Sequence, residues 1–226
     1  MPSLTVTVCR RPEYTLHTLS LLKSCDGVRD WDISIFVDNQ CDVTRDLVKN
    51  ISPGSWGMHI SDGPLGCNEN VRRAFRHGFE ASDFHVHLED DTSPARDALS
   101  FYKWASQFGG DPELFCVCGY SRRGGEPHLA VKSADYTAWG FATWRDRWLE
   151  MDADWSPVKE VSWDTWMDRN VRKGRLAISP LASRIQNIGR FGGTYNNPYV
   201  WEHEQFTREM VSPEVSIDES SWRLNA

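Results

Sequence analysis

The sequence predicts an α/β fold, one domain built on a mainly parallel sheet with helices on both faces. Three observations predict it. Short apolar, β-branched runs alternate with amphipathic stretches over the first 118 residues. A length of 226 residues, 40% hydrophobic and 25% charged, suits one generous globular domain. Polar clusters follow two of the apolar runs, Asp38-Asn39 and Glu89-Asp90-Asp91. Ligands gather at such positions, beyond the carboxyl ends of parallel strands.

Taken in order, residues 4–9 read as a first strand. Pro12 then opens a helix, where its fixed φ suits the first turn, with Leu16, Leu19 and Leu22 on one face. Residues 33–37 form the second strand, ending at Asp38. A short helix covers 43–49 and a third strand 56–60. Residues 65–79 are helical, with Val71, Phe75 and Phe79 as the buried stripe. Residues 84–88 are the next strand. Ser93-Pro94 reads as a cap and first turn of a helix running to about Gln107 and stopped by Gly109-Gly110. Residues 114–118 are a further strand. The rhythm breaks after Gly119. Arg122-Arg123-Gly124-Gly125 is a turn, and a tryptophan-rich block follows. A helix opens at Ser162 and ends near Gly174, residues 176–178 are a short strand, and 184–194 form a glycine-bearing loop. No linker or repeat divides the chain. A single domain is expected, with residues 1–118 and 119–226 as its two halves.

The formal charge of −7, from 25 Lys and Arg against 32 Asp and Glu, argues against broad nucleic-acid binding, which needs a basic surface. A local basic rim of Arg122, Arg123, Arg172, Lys173 and Arg175 stays open. The six cysteines include no C-x-x-C pair and read as reduced, buried thiols. The chain runs straight into a strand pattern, without a signal peptide or membrane span, so a cytoplasmic location is expected. Of the eleven tryptophans, six lie between Trp139 and Trp166. They are core filler or a stacking wall for a planar or sugar ligand.

The acidic triplet is the strongest chemical signal. A strand ending in three carboxylates calls for a positive partner, and a hard divalent cation with oxygen ligands suits it. Strand alternation would turn Glu89 and Asp91 to one side and Asp90 to the other. His85 and His87 share one strand face, either as a metal pair or as hydrogen-bonded rings between sheet and helix. Arg184 and Arg190 are candidates for phosphate or for surface ion pairs.

The triplet does not stand alone. It is followed in order by Asp111-Pro112-Glu113-Leu114-Phe115-Cys116-Val117, Trp139-Gly140, Trp148, Trp163-Asp164-Thr165-Trp166-Met167, Arg172-Lys173-Gly174-Arg175, Ile178-Ser179-Pro180, Ser183-Arg184, Gly189-Arg190 and Gly193-Thr194. Over about residues 84–194 this set resembles glycosyltransferases of the A-type fold, most nearly the N-acetylglucosaminyltransferase I family. The resemblance implies a Rossmann-like donor domain and metal-dependent, inverting transfer of a sugar from a nucleotide-sugar, a UDP-sugar, to a hydroxyl. It implies Mn²⁺ (or Mg²⁺) on Asp91, ribose on Asp90, the sugar on Glu89, the nucleobase near Asp38 and Arg10 near the nucleotide. It implies Asp164 as catalytic base, Thr194 in a loop closing over the donor, and His203 as an extra metal ligand; Arg190 stays a candidate for the donor phosphates on its charge alone. The acceptor stays open among glycan, protein and hydroxylated DNA base. Three other readings share some of these residues. They are a nucleotidyltransferase making nucleotide-sugars, a noncatalytic carbohydrate-binding protein using the tryptophans, and a metal hydrolase built on His85 and His87.

Overall fold

The computed structural model describes residues 1–195 and 215–225. Its frame is a nine-stranded mixed sheet. In chain order the elements are β1 (Ser3–Val8), α1 (Pro12–Lys23), β2 (Asp32–Val37), α2 (Asp42–Ile51), β3 (Gly57–Ile60), α3 (Cys67–Ala81), β4 (Phe84–Glu89), β5 (Thr92–Pro94), α4 (Ala98–Ala105), β6 (Leu114–Cys118), β7 (Leu129–Ser133), β8 (Phe141–Trp144), α5 (Arg145–Ala153), α6 (Trp163–Met167), β9 (Leu176–Pro180), β10 (Ile185–Asn187) and β11 (Arg223–Asn225). The sheet order is β11-β7-β9-β6-β8-β4-β1-β2-β3, and β5 and β10 form a separate pair.

The parallel core β4-β1-β2-β3 is the one the alternating pattern anticipates. The far half is mixed. β8 lies antiparallel between β4 and β6, and β7 runs antiparallel to β9. Helices cover both faces, as expected. On one face α1, α2 and α4 bury Leu19, Leu22, Val48, Leu99 and Phe101 against Leu4, Val6, Ile33, Ile35, Val86 and Leu88. On the other, α3, α5 and α6 bury Val71, Phe75, Phe79, Trp148, Met151 and Trp163 against Cys116, Cys118 and Phe141. Each apolar face thus finds a partner layer, which is the condition for an α/β sandwich.

Several local expectations change. Ser93-Pro94 does not start a helix. Thr92–Pro94 is a strand paired antiparallel with Ile185–Asn187, and α4 begins only after Asp97. The reason is tertiary, since residues 185–187, expected in a loop, supply the pairing partner. On α1 the inward face is Thr15, Thr18, Leu19 and Leu22, and Leu16 is 44% exposed. The tryptophan block is mostly core, with Trp144, Trp148, Trp163 and Trp166 buried. Three of the six cysteines are buried and three are half-buried, all as free thiols.

β4 shows why its histidines face a helix. His85 and His87 are fully buried. Their ring nitrogens lie 2.9–3.4 Å from the hydroxyls of Ser3, Thr5 and Thr7 on neighbouring β1. α3 crosses so closely at Gly78 that any Cβ there would strike the His85 ring. Every ring nitrogen is occupied and no solvent reaches the pair, so the metal-hydrolase reading fails.

Candidate active site

β1 and β4 are adjacent and parallel, but the chain leaves them in opposite directions across the sheet. A crevice therefore opens beyond their carboxyl ends. It is a cleft of about 810 Å³. Cys9, Arg10 and Arg11 enter it after β1, and Glu89, Asp90 and Asp91 after β4. The opposite wall brings Trp139, Trp163, Asp164 and Thr165, and the mouth Gly192, Gly193, Thr194 and Tyr195.

Strand alternation does not govern the acids, because β4 ends at Glu89 and Asp90-Asp91 form a tight turn into β5. Asp90 and Asp91 therefore point to one partner, the Arg11 guanidinium. Arg11 donates to Asp91 Oδ2 at 2.7 Å and to Asp90 Oδ1 through its other terminal nitrogen. Asp90 also accepts from the Cys9 amide at 3.3 Å. Glu89 faces the other wall, where Trp163 Nε1 donates to it at 3.3 Å. The turn is braced from below. The Thr18 hydroxyl lies 2.8 Å from the Asp90 carbonyl oxygen and 2.6 Å from that of Thr92.

The electrostatics follow from this crowding. Burial, then Asp91 and Asp164, push the Glu89 carboxyl well above the usual carboxylate range. Burial raises Asp90 as well, with Arg11 opposing. Burial works against the charge of Arg11, but Asp90 and Asp91 outweigh it and hold the guanidinium more firmly protonated. The Cys9 thiol is pushed up to about 11 by burial and by Asp38 and Asp90, and Cys67 rises for the same kind of reason. Neither lining thiol is an activated nucleophile.

Arg11 lines the cleft beside Arg10 and holds the acid pair, and the sequence reading named only Arg10. A signal for it exists. The residue before a proline is kept out of the helical region. Arg11 precedes Pro12 with φ −120° and ψ 75°, and its side chain lies across the acid turn.

The other expected residues divide. Arg10, Glu89, Asp90, Asp91, Asp164 and Thr194 all line the cleft. Asp164 is half-buried in the first turn of α6, whose start is fixed by Asn68 Oδ1 accepting from the Trp163 amide at 2.9 Å. Asp38 stands one step behind the wall. Its carboxylate is buried and accepts from the amides of Leu65 and Gly66 at 2.9 Å and from the Gln40 side chain at 2.6 Å. Arg190 does not line the cleft and stacks on Phe191, 5.1 Å from its ring centre. Arg184 is fully buried in an ion pair with Asp97, so it is no phosphate ligand. The basic rim is largely neutralised, with Arg123 on Asp135, Arg172 on Asp168 and Arg175 on Glu150. His203 lies outside the described residues.

Among the described residues, no three His, Cys, Asp or Glu side chains close into a ready metal cage. The donor set nevertheless fits an open site completed by a ligand. Asp91 Oδ1 is buried and has no hydrogen-bond partner. It is an anionic oxygen at the cleft wall, and hard cations take such oxygens together with those of a phosphate. Among the described residues no helix is long and apolar enough to cross a membrane.

No protein-family model matches the chain. Solved structures do. A mannosyltransferase, PcManGT, from Pyrobaculum calidifontis, in complex with GDP-Man and Mn²⁺, superposes with a TM-score of 0.58 at 17% identity, covering 79% of this chain and 54% of its own. TarS 1–349 from S. aureus, in complex with UDP-GlcNAc, gives 0.60 at 13% identity, covering 90% and 64%. A second TarS structure gives 0.57 at 13% identity, covering 79% and 35%. The chain thus spans between about a third and two-thirds of the length of these relatives. The likeness stops short of the N-acetylglucosaminyltransferase I family. It establishes the architecture: the chain has the A-type glycosyltransferase fold.

Proposed function

We propose that this chain transfers a sugar from a nucleotide-sugar donor to a hydroxyl acceptor, with the assistance of a divalent cation and with inversion at the anomeric carbon. One observation carries the reading. The acid turn after β4 and the Asp164 carboxylate, 73 positions later in the chain, line the same cleft at the switch point of the sheet. Two solved structures with this fold, one with GDP-Man and Mn²⁺ and one with UDP-GlcNAc, support a nucleotide-sugar as the ligand.

In this reading the nucleobase lies along the wall at Leu65 and Gly66, which Asp38 holds from behind, with Arg10 beside the nucleotide. Asp90 takes the ribose and Glu89 a hydroxyl of the transferred sugar. Asp91 holds Mn²⁺ (or Mg²⁺) through Oδ1, and when bound that ion offsets the charge developing on the departing diphosphate. Asp164 accepts the proton of the acceptor hydroxyl at its carboxylate. The acceptor oxygen bonds to the anomeric carbon as the bond to the diphosphate oxygen breaks, and the nucleoside diphosphate leaves with that electron pair. With Glu89, Asp90 and Asp91 given to the sugar hydroxyl, the ribose and the cation, Asp164 is left as the one base, which favours a single displacement, hence inversion. Thr194, at the mouth, closes over the donor. A hexose and an N-acetylhexosamine both remain donors to be tried. The cleft's lining is rich in acids, and the flanking arginines are paired, which favours a neutral hydroxyl acceptor.

A panel of nucleotide-sugars, with Mn²⁺ or with EDTA, tests the reading by nucleotide release. Metal-stimulated release is expected for at least one donor, and its absence for every donor would sink the proposal. Asp164→Asn should bind donor normally and lose transfer by about 10²–10⁴-fold. Asp91→Asn should lose metal-dependent donor binding. Full transfer by Asp164→Asn would remove Asp164 from the base role.

A further inference from the structure

Arg11 sits where a cation would sit. Its two terminal nitrogens take one oxygen from each of Asp90 and Asp91, whose side chains are 4% and 6% exposed. The Arg11 side chain is only 17% exposed. It is packed between the Tyr14 ring, 5.6 Å away, and the loop at Gly192, where a Cβ would come within 3.5 Å of its Cδ. The same loop is pinned to the acid turn. The Ile188 amide donates to the Asp91 carbonyl at 2.8 Å, and the backbone of Gly189 lies so close to the Asp91 carboxylate that no Cβ fits. One oxygen, Asp91 Oδ1, is left buried and unpartnered beside this arrangement.

We propose that Arg11 is an internal counter-ion that keeps the Asp90–Asp91 pair closed to free divalent cations, so that metal enters only together with a diphosphate. This rests on the nucleotide-sugar reading above and adds a binding order to it. The logic is charge balance in a partly buried site. With Arg11 in place, two buried carboxylates already have a bidentate partner. A free dication approaching Asp91 Oδ1 meets that guanidinium at close range and gains little net attraction. A diphosphate changes the balance. Its oxygens accept from the guanidinium's N–H groups, as phosphate does from arginine. That draws positive charge off the carboxylates and supplies oxygens for the cation. Metal and diphosphate therefore bind with positive coupling, and each raises the affinity for the other by the same factor. The loop at 188–192 rests on both Arg11 and Asp91, so it registers the exchange.

The experiment measures Mn²⁺ binding by electron paramagnetic resonance, and melting temperature in parallel, for wild type, Arg11→Gln and Arg11→Lys, with and without UDP. For wild type, UDP should tighten Mn²⁺ binding by about tenfold or more, and Mn²⁺ alone should leave the melting temperature unmoved. Arg11→Gln should bind Mn²⁺ alone about tenfold more tightly than wild type and be stabilised by it, with the coupling to UDP much reduced. Arg11→Lys keeps the charge and should retain most of the wild-type coupling. Wild type binding Mn²⁺ equally well with and without UDP would overturn the counter-ion proposal while leaving the glycosyltransferase reading intact. Failure of wild type to bind UDP, GDP or any other nucleoside diphosphate, with or without Mn²⁺, would instead sink that reading. If Arg11→Gln does not fold, the wild-type comparison and Arg11→Lys still decide the matter.

Discussion

Arg184 and Asp97 are both completely buried, with Arg184 Nε 2.8 Å from Asp97 Oδ1. The Trp222 ring covers the guanidinium at 4.7 Å, and the Ile217 amide donates to Asp97 Oδ2 at 3.0 Å. The pair thus fastens residues 215–225 to the first turn of α4 and has no route to the cleft. Removing one partner leaves a buried charge alone. Arg184→Met should therefore cost about 3–5 kcal/mol, and the double variant Arg184→Met/Asp97→Leu should recover much of that loss. Chemical denaturation measures both. UDP affinity of the folded single variant should equal that of wild type, and a large loss there would restore a donor role to Arg184. Arg11 presents the opposite case, a guanidinium on an acid pair inside the cleft. In the sequence the two arginines look alike, each one of many beside many acids. What separates them is which acid the folded chain brings near, and 79 to 87 positions separate each from its partner. The cleft positions of Glu89 and Asp91 were legible because they follow a strand in an alternating α/β pattern, and that of Asp164 only through the family resemblance. Arg11 was not, because its meaning comes from Asp90 and Asp91.

At the scale of the element, β4 combines a buried polar face with the acid turn at its end. His85 and His87 are neutral for a physical reason. Burial drives the His87 ring down to about 3, and burial with His87 alongside drives His85 far down as well. An unfolded chain takes up protons on these rings below about pH 6.5, and the fold does not. Where the unfolded state binds more protons, stability rises with pH. Stability should therefore fall as pH is lowered from 6.5 towards 3. Glu89 acts with the opposite sign. Its carboxyl is raised in the fold, so protonating it as pH falls relieves the metal-free protein. A variant isolates the histidine. His87→Gln should melt below wild type at pH 7.5, having lost its contacts to Thr5 and Thr7. The gap should narrow at pH 5, because only wild type pays for keeping that ring neutral. A gap that stays constant with pH would show that His87 is not held neutral by the fold. Elements of this kind were readable from sequence, since β1, β2, β4, β6, α1 and α3 have enough residues to show a period of 2 or 3.6. β5, β10 and β8 were not. None of these three shows a period in so few residues, and β5 is a strand only because Ile185–Asn187 pairs with it.

At the scale of the whole molecule, both faces of one sheet are sealed by core, and the cleft draws its walls from both halves of the chain. Thr7 to Asp91 supply one wall and Ala138 to Tyr195 the other. The core on the α1 face runs without a break from Leu4 to Trp222, so no part of the sheet has a core of its own with which to melt separately. The parallel half of this arrangement follows from alternation of strand and helix, and the ligand position follows from the switch point between β1 and β4. The antiparallel insertion of β8 between β4 and β6 does not follow from local pattern, because its pairing joins segments far apart in sequence. A ligand bridging the two walls should then stabilise the domain as a unit. With UDP and Mn²⁺ together at about 100 times the dissociation constant, linkage gives about 2.7 kcal/mol. For a domain of this length that is a rise of roughly 5–10 °C in melting temperature. Calorimetry should show one transition moving intact, with EDTA reversing the part of the shift that depends on metal. Two transitions, with only one of them moved by UDP, would mean that the walls of the cleft belong to separately folding units and that the donor touches only one.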